Sequence, residues 1–156
     1  MPIFKRLELS HSIEIKTTPD KIWNFLKNPE NYTTWHPKDH IKIIWTEGKP
    51  LEIESKFYSE QLVFGKVQKY KGKIKEVIPN RKVVFKFRFP VSIISPEIEW
   101  RISPKGSKTV FTAISFLRAG NLYKKLFKKS MKNLIEEHNR HVAEEGENLK
   151  KILEGD

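Results

Sequence analysis

The C-terminal run of residues 121–153 constrains the fold most, because its amphipathic pattern predicts a single helix of some thirty residues. One face of that helix also carries His138, His141 and Glu145, where a purely structural helix would carry Leu or Ala. We therefore interpret this face as one wall of a cavity, with the polar groups either lining the cavity or satisfied at its end. The apolar residues at helical spacing are Tyr123, Phe127, Met131, Leu134, Val142, Leu149 and Ile152.

The chain before this helix has the pattern of a β-sheet. Residues 6–16 alternate between apolar and polar side chains, which predicts a strand with one buried face. His11 falls on the apolar face, either as a core imidazole satisfied by one hydrogen bond or as part of a cavity wall. Turn residues separate further strands, predicted at residues 41–46, 54–63, 66–78, 82–89, 97–103 and 109–117.

Two of these strands supply a bulky inner face. Alternation places Val83, Phe85, Phe87 and Phe89 on one side of their strand, as a dense aromatic wall. In the next strand the same pattern turns Ile98, Trp100 and Ile102 inward.

Two short helices are predicted between the first and second strands. Thr18-Pro19-Asp20 offers a capping hydroxyl, a Pro at the first helical position and an acid in the first turn. Asn28-Pro29 ends this helix, and Pro29 opens a second one that runs through Trp35.

These elements together predict an α+β fold, in which a curved antiparallel sheet of about seven strands wraps around a long C-terminal helix. A sheet with one apolar face needs a cover, and only the terminal helix is long enough to provide it. Because a strongly bent sheet cannot contact a straight helix everywhere, a cavity is expected between them. Residues 1–156 show no repeat or linker and are expected to form a single domain.

Composition and missing motifs exclude several classes of protein. The chain has no Cys, which excludes disulfides, a thiolate nucleophile and a cysteine-based zinc site. It also lacks a glycine-rich phosphate loop, a dinucleotide fingerprint, a nucleophile elbow and an HExxH motif. The N-terminus has no signal-peptide pattern and no apolar run has transmembrane length, so we expect a cytoplasmic protein.

The net charge of +11 suggests an anionic partner or simply a solvated surface, since 24 of the 30 basic residues are Lys. Alternation places many of them on the outer face of the sheet, which allows a weak contact with an anionic membrane. Nucleic acid is not favoured, because the aromatic residues fall on the inner face and no arginine-rich helix is present. The basic exterior comprises Lys69, Lys71, Lys73, Lys75, Lys82, Lys86, Arg88, Lys124, Lys125, Lys128, Lys129 and Lys132.

Several motifs resemble the START-like superfamily, also called SRPBCC or helix-grip, and within it the polyketide cyclase/dehydrase-like branch. The resemblance implies the fold predicted above and a pocket for lipids, polyketides, hormones or quinones, which some members cyclise. It carries over no catalytic residue, and Glu54 departs from the family, which often has Gly near this position. The matching residues are Pro19, Ile22-Trp23, Leu26, Asn28-Pro29, Tyr32, Trp35-His36-Pro37, Glu76-Val77-Ile78-Pro79-Asn80-Arg81, Val83-Val84-Phe85, Glu99-Trp100-Arg101-Ile102, Pro104, Gly106 and Thr109.

His138, His141 and Glu145 lie at i, i+3 and i+7 on the terminal helix and allow three interpretations. They could bind a metal, provide an acid–base site centred on His138, or form a polar end to the stripe in which His141 and Glu145 pair. Helical zinc signatures pair His at i and i+4, and no second element clearly offers a ligand, so we expect no metal and no cofactor. His36 borders the cavity mouth in the resembling family or lies in a surface loop, and His40 has no supporting context.

The sequence thus predicts a binding protein for a hydrophobic or amphipathic small molecule. The alternatives are a cyclase, dehydratase or isomerase that uses the same cavity, with His138 as the candidate catalytic base, and a basic module that contacts an anionic membrane or partner. The oligomeric state is left open. The predicted ligand-binding residues are His11, Trp35, Tyr70, Phe85, Phe87, Trp100, Met131, Leu134, His138 and His141.

Overall fold

The computed structural model describes residues 6–118 and 121–155, with the backbone only for Arg6 and residues 121–127. These residues contain seven strands and three α-helices. The strands are β1 (Arg6–Ile15), β2 (His40–Glu47), β3 (Lys56–Val63), β4 (Lys66–Ile78), β5 (Lys82–Phe87), β6 (Glu97–Lys105) and β7 (Lys108–Arg118). The helices are α1 (Pro19–Lys27), α2 (Asn31–Trp35) and α3 (Asn121–Glu154), and a single 3-10 turn covers Val91–Ile93. The predicted order of elements is confirmed.

The strands form one antiparallel sheet in the order β1-β7-β6-β5-β4-β3-β2. β1 and β2 therefore lie at opposite edges, and α1 and α2 carry the chain from one edge to the other. The register shifts between Ile74 and Glu76 in β4 and between Trp45 and Glu47 in β2. Such bulges bend a strand and increase its twist, and they account for the curvature of the sheet around α3. The predicted helix-grip architecture is thus confirmed.

The inner face of α3 changes character along the helix. Towards its C-terminal end Leu149 is fully buried and packs in the main core with Ile15 of β1 and Ile22 of α1. The backbone N–H of Lys16 donates to the Glu154 carboxylate at 2.7 Å, which ties this end of the helix to the end of β1. The helix is therefore anchored at its C-terminal end, and its earlier turns are the ones that face the cavity described below.

At Gly146 α3 approaches β1 closely. A Cβ atom at this position would lie 3.3 Å from Cε1 of His11 and 3.5 Å from Cγ2 of Ile13. Glycine costs a helix interior about 1 kcal/mol relative to Ala, and here it permits the close contact between helix and strand. His11 therefore faces a packed helix backbone.

Three local predictions were wrong. The aromatic wall of β5 stops at Phe87, and Phe89 is 76% exposed, because the strand ends before Pro90, which has no N–H for the ladder. Thr18 has the extended backbone of an N-cap residue, but its side chain makes no capping hydrogen bond to α1. The second helix begins at Asn31, two residues after Pro29.

Glu54, the residue that departs from the resembling family, has a φ angle of +66°. This left-handed conformation favours glycine, because a Cβ atom crowds the following carbonyl oxygen. The backbone thus keeps a glycine-like conformation at an acidic residue, and the Glu54 side chain pairs on the surface with Lys73 at 3.3 Å.

Candidate functional site

A cavity of about 430 Å³ lies between the concave face of the sheet and α3. Its sheet side is mainly aromatic and aliphatic, and its helix side begins at Leu134 and continues to Glu145. The volume falls within the range of about 300–1,000 Å³ that is usual for small-molecule sites. The apolar wall consists of Ile43, Phe57, Val63, Phe85, Phe87, Val91, Ile94, Ile98, Trp100, Ile114 and Leu117.

Eight of the ten predicted ligand-binding residues line this cavity: Trp35, Tyr70, Phe85, Phe87, Trp100, Leu134, His138 and His141. The structure does not bring His11 there, because α3 crosses β1 at Gly146 and leaves no space in front of the imidazole. Met131 is partly buried but lies one turn before Leu134, where the cavity lining on α3 begins. The side chains of Tyr123 and Phe127, predicted on the same stripe, lie outside the described residues.

His36 and His40 are the residues that the sequence interpretation missed. Both are buried, with 1% and 4% of their surface exposed, whereas His36 was expected at the cavity mouth or in a surface loop and His40 had no assigned role. The loop after α2 folds back on itself, since the backbone N–H of His40 donates to the carbonyl of His36 at 2.8 Å. This tight turn directs Asp39 and His40 towards α3. The only sequence signal was the density of polar residues after Trp35-His36-Pro37.

Asp39 connects this loop to the helix. Its buried carboxylate accepts hydrogen bonds from His141 Nδ1 at 2.7 Å and from the Arg140 guanidinium at 2.8 Å. Burial alone would raise the pKa of Asp39, but these two hydrogen bonds hold it below its ordinary value. Arg140 also pairs with Glu137 and Glu144, so the same guanidinium stabilises three carboxylates.

His141 lies between two carboxylates. Its Nε2 is 2.7 Å from Glu145 Oε1, and its Nδ1 donates to Asp39. Burial alone would lower the pKa of His141, but the charge of Glu145 and the hydrogen bonds to Glu145 and Asp39 raise it to about 9. The predicted pairing of His141 with Glu145 is present, and it is buried at the polar end of the cavity.

Glu145 is held on both its side chain and its backbone. Burial would raise the pKa of the carboxyl group, but the charge and hydrogen bond of His141 outweigh it and hold the pKa well below its ordinary value. The indole N–H of Trp35 donates to the Glu145 carbonyl at 3.0 Å. The Glu145 carboxylate is therefore ionised and fixed at the cavity wall.

His138 and Tyr70 offer neutral polar groups elsewhere in the cavity. Burial lowers the pKa of His138 to about 4, so its imidazole is unprotonated at neutral pH. Burial raises the pKa of Tyr70 to about 12, so its phenol keeps its proton. The cavity thus presents a neutral hydrogen-bonding imidazole and a phenol donor beside an apolar wall.

Two groups of side chains among the described residues bring potential metal ligands together. One consists of His36, Asp39 and His141, and the other of His40, His141 and Glu145, with ligand atoms within 4.8 Å of one another in each group. The expectation that no second element offers a ligand to the helix was wrong, because the loop after α2 and the first residue of β2 supply three. A metal at His138, His141 and Glu145 is not the arrangement that the structure assembles.

The basic outer face is more neutralised than the sequence suggested. Lys75 lies 2.9 Å from buried Glu97, Lys73 lies 3.3 Å from Glu54, and Lys82 lies 3.1 Å from Glu76. These three lysines are therefore paired with carboxylates. The side chains of Lys124 and Lys125 lie outside the described residues, and contact with an anionic membrane stays a prediction.

Among the described residues, the helices include none with the length and hydrophobicity that a membrane-spanning helix requires.

Comparisons with known proteins agree with the fold. Residues 6–153 match the family described as polyketide cyclase/dehydrase and lipid transport, whereas no curated protein matches the chain. The Zhui aromatase/cyclase from Streptomyces sp. R1128 is similar with a TM-score of 0.75 and 16% identity, over 96% of this chain and 94% of that one. Major latex-like protein 151 from Panax ginseng is similar with a TM-score of 0.72 and 14% identity, over 95% of this chain and 97% of that one. A norcoclaurine synthase point mutant from Thalictrum is similar with a TM-score of 0.72 and 12% identity, over 98% of this chain and 97% of that one. At these identities the structural likenesses establish the fold alone.

Proposed function

The chain belongs to the polyketide cyclase/dehydrase and lipid transport family, and on this basis we propose that it binds a hydrophobic or amphipathic small molecule between the sheet and α3. The observation that carries the proposal is the cavity of about 430 Å³, which combines an aromatic wall with polar groups at one end. Such a site favours a ligand with an apolar body and one polar terminus.

The apolar wall provides the driving force for binding. A ligand that buries about 300 Å² of apolar surface would gain roughly 7 kcal/mol at 25 cal/mol/Å², before the cost of association. Phe85, Phe87 and Trp100 belong to the aromatic wall, in which Phe85 packs edge-on against Trp100, and both Phe85 and Phe87 pack edge-on against Phe57. A hydrogen bond from the ligand to His138 or Tyr70 would then fix its orientation.

A cyclase, dehydratase or isomerase reaction is the second candidate, favoured by the presence of a neutral imidazole (His138) and a protonated phenol (Tyr70) in the lining of one cavity. His138 would accept a proton from the substrate, and Tyr70 would donate to a developing oxyanion. The pKa of about 4 makes His138 a weak base at neutral pH, which favours hydrogen bonding over proton abstraction. We therefore place binding first.

The test starts from the ligand that copurifies with the protein. Native mass spectrometry of protein from its own host should show a reproducible hydrophobic adduct. In parallel, 8-anilinonaphthalene-1-sulfonate should bind the emptied protein, and Leu134→Trp, which fills the cavity, should weaken this binding by about tenfold or more, equivalent to ~1.4 kcal/mol. Ile44→Trp is the matched control, because Ile44 is 48% exposed and outside the cavity lining.

Equal affinity of Leu134→Trp and Ile44→Trp for the probe, together with the absence of an adduct, would count against a ligand cavity. His138→Gln separates the two candidates. In a binding protein this variant keeps the same adduct with reduced affinity. In an enzyme it accumulates an adduct of different mass, such as one that still contains the water lost in a dehydration.

A further inference from the structure

The polar end of the cavity brings two ring nitrogens and one carboxylate to the same point. His40 Nε2 lies 3.5 Å from Glu145 Oε2, and His141 Nε2 lies 2.7 Å from Glu145 Oε1. His40 Nε2 is fully buried and has no hydrogen-bond partner among the described residues. A buried ring nitrogen without a partner costs about 1–3 kcal/mol, so its position beside a carboxylate and a second imidazole calls for a ligand. We propose that His40, His141 and Glu145 bind a divalent transition-metal ion such as Zn²⁺ or Fe²⁺.

The hydrogen bonds behind the two imidazoles decide which nitrogen is free. His40 Nδ1 lies 2.8 Å from the carbonyl oxygen of Tyr32, and His141 Nδ1 lies 2.7 Å from the Asp39 carboxylate. Carbonyl and carboxylate oxygens only accept, so both Nδ1 atoms carry hydrogen. In a neutral imidazole Nε2 is then the lone-pair nitrogen, and both Nε2 atoms face Glu145. A ring N–H donated to a carboxylate or a carbonyl is the arrangement that orients and strengthens a metal-binding histidine.

Neighbouring aromatic rings hold His40 in this orientation. The Tyr32 ring stacks on the His40 imidazole with centroids 4.0 Å apart and planes within 5°, and the Trp35 ring meets it edge-on at 5.3 Å. Gln61 in turn donates to the Tyr32 hydroxyl at 2.7 Å. The imidazole is therefore fixed before an ion arrives, which reduces the entropic cost of coordination.

The other group of potential ligands does not fit a metal. The backbone N–H of Asp39 donates to His36 Nδ1 at 3.2 Å, so this Nδ1 must be unprotonated. The proton of neutral His36 is then on Nε2, which lies 3.1 Å from Glu144 Oε2 and, like His40 Nε2, has no hydrogen-bond partner among the described residues. An ion at this nitrogen would have to displace the only ring proton and leave an imidazolate, whereas His40 and His141 keep a proton on Nδ1. The ion therefore belongs with His40.

The spacing of the three ligand atoms suits a small ion. Tetrahedral coordination with bonds of about 2.05 Å separates neighbouring ligand atoms by roughly 3.3 Å. This value lies between the 2.7 Å from His141 Nε2 to Glu145 Oε1 and the 3.5 Å from His40 Nε2 to Glu145 Oε2, and the ligand atoms of the three residues lie within 4.8 Å of one another. In the metal-free protein a proton lies between His141 Nε2 and Glu145, and the ion would take its place. Two imidazoles and one carboxylate leave a coordination position open, and all three residues line the cavity. The bound ion would therefore face the ligand space, where it can coordinate a water or a polar ligand group.

The test is a titration of untagged, chelator-treated protein with ZnCl₂ by calorimetry. We expect one equivalent to bind, and His40→Gln and Glu145→Gln each to weaken binding by about 100-fold or more. His36→Gln and His11→Gln should bind zinc as the wild type does, since they remove imidazoles outside the three ligands. Thermal unfolding of each variant shows whether it is folded.

A second measurement on the wild type avoids dependence on variants that fail to fold. With ¹⁵N-labelled histidine, zinc should shift the Nε2 resonances of His40 and His141 while both Nδ1 atoms keep their protons. The absence of a one-to-one complex, coordination at His36 or His138, or full binding by a folded His40→Gln would each overturn the proposal. None of these outcomes bears on whether the cavity binds an apolar ligand.

Discussion

Raising the pH from 6.5 to about 9 should remove one buried charge from the centre of the fold, the protonated imidazole of His141. This residue lies between Asp39 and Glu145, and its side chain is only 13% exposed. His36 stacks on it at 4.8 Å, and Arg140 shares the Asp39 carboxylate. The two carboxylates outweigh the effect of burial and raise the pKa of His141 from 6.5 to about 9.

The sign and size of the effect follow from the linkage between protonation and folding. The folded protein holds the His141 proton more tightly than the unfolded chain, so the stabilisation is fully present below pH 6.5 and is lost as the pH rises through about 9. At about 1.4 kcal/mol for each pH unit, the loss is about 3 kcal/mol. Cysteine is absent from the chain, so no thiol titrates in this interval.

The measurement is urea unfolding of chelator-treated protein at intervals of pH between 6 and 9.5. The free energy of unfolding of the wild type should fall by about 2 kcal/mol between pH 7 and 9.5, above the pH range in which the lowered pKa of His138 makes stability rise with pH. His141→Gln should be less stable at pH 6.5 and nearly independent of pH above it, whereas His11→Gln should keep the wild-type slope. A wild-type stability that is flat or rises between pH 7 and 9.5, or an equal slope in His141→Gln, would refute the assignment of this charge.

Two further predictions concern packing. Gly72→Ala should lower the free energy of unfolding by about 1–3 kcal/mol, because its Cβ atom would lie 2.4 Å from the Lys86 carbonyl oxygen and 2.9 Å from Cζ of Phe57. The control is Lys71→Ala at the exposed neighbouring residue in β4, whose free energy of unfolding from chemical denaturation should lie within ~0.5 kcal/mol of the wild type. Similar losses of stability in both variants would mean that β4 and β5 separate easily. Leu149→Ala should cost about 2–5 kcal/mol, since this fully buried side chain anchors α3 in the core. Lys151→Ala on the exposed face is its control, and a loss below ~1 kcal/mol for Leu149→Ala would show that α3 is anchored elsewhere.

The site was only partly accessible from the sequence. Leu134, His138 and His141 were found because helical periodicity assigns residues to a face, and that face does line the cavity. His11 was assigned to the correct face of β1 and predicted to bind the ligand, but the structure places it against Gly146 and outside the cavity lining. Periodicity reports that a side chain is covered, and it does not report whether a ligand or Gly146 of a helix covers it.

Local patterns determined the order of strands and helices, the aromatic inner wall and the long covering helix, because spacings of two and about 3.6 residues are properties of neighbouring residues. Only the tertiary structure decided that His40 meets His141 and Glu145. These residues lie about a hundred positions apart, and their approach depends on the tight turn after α2, the indole of Trp35 and the anchoring of α3 at Leu149. The meeting of distant polar groups follows from the packing of the whole chain, which no local periodicity encodes.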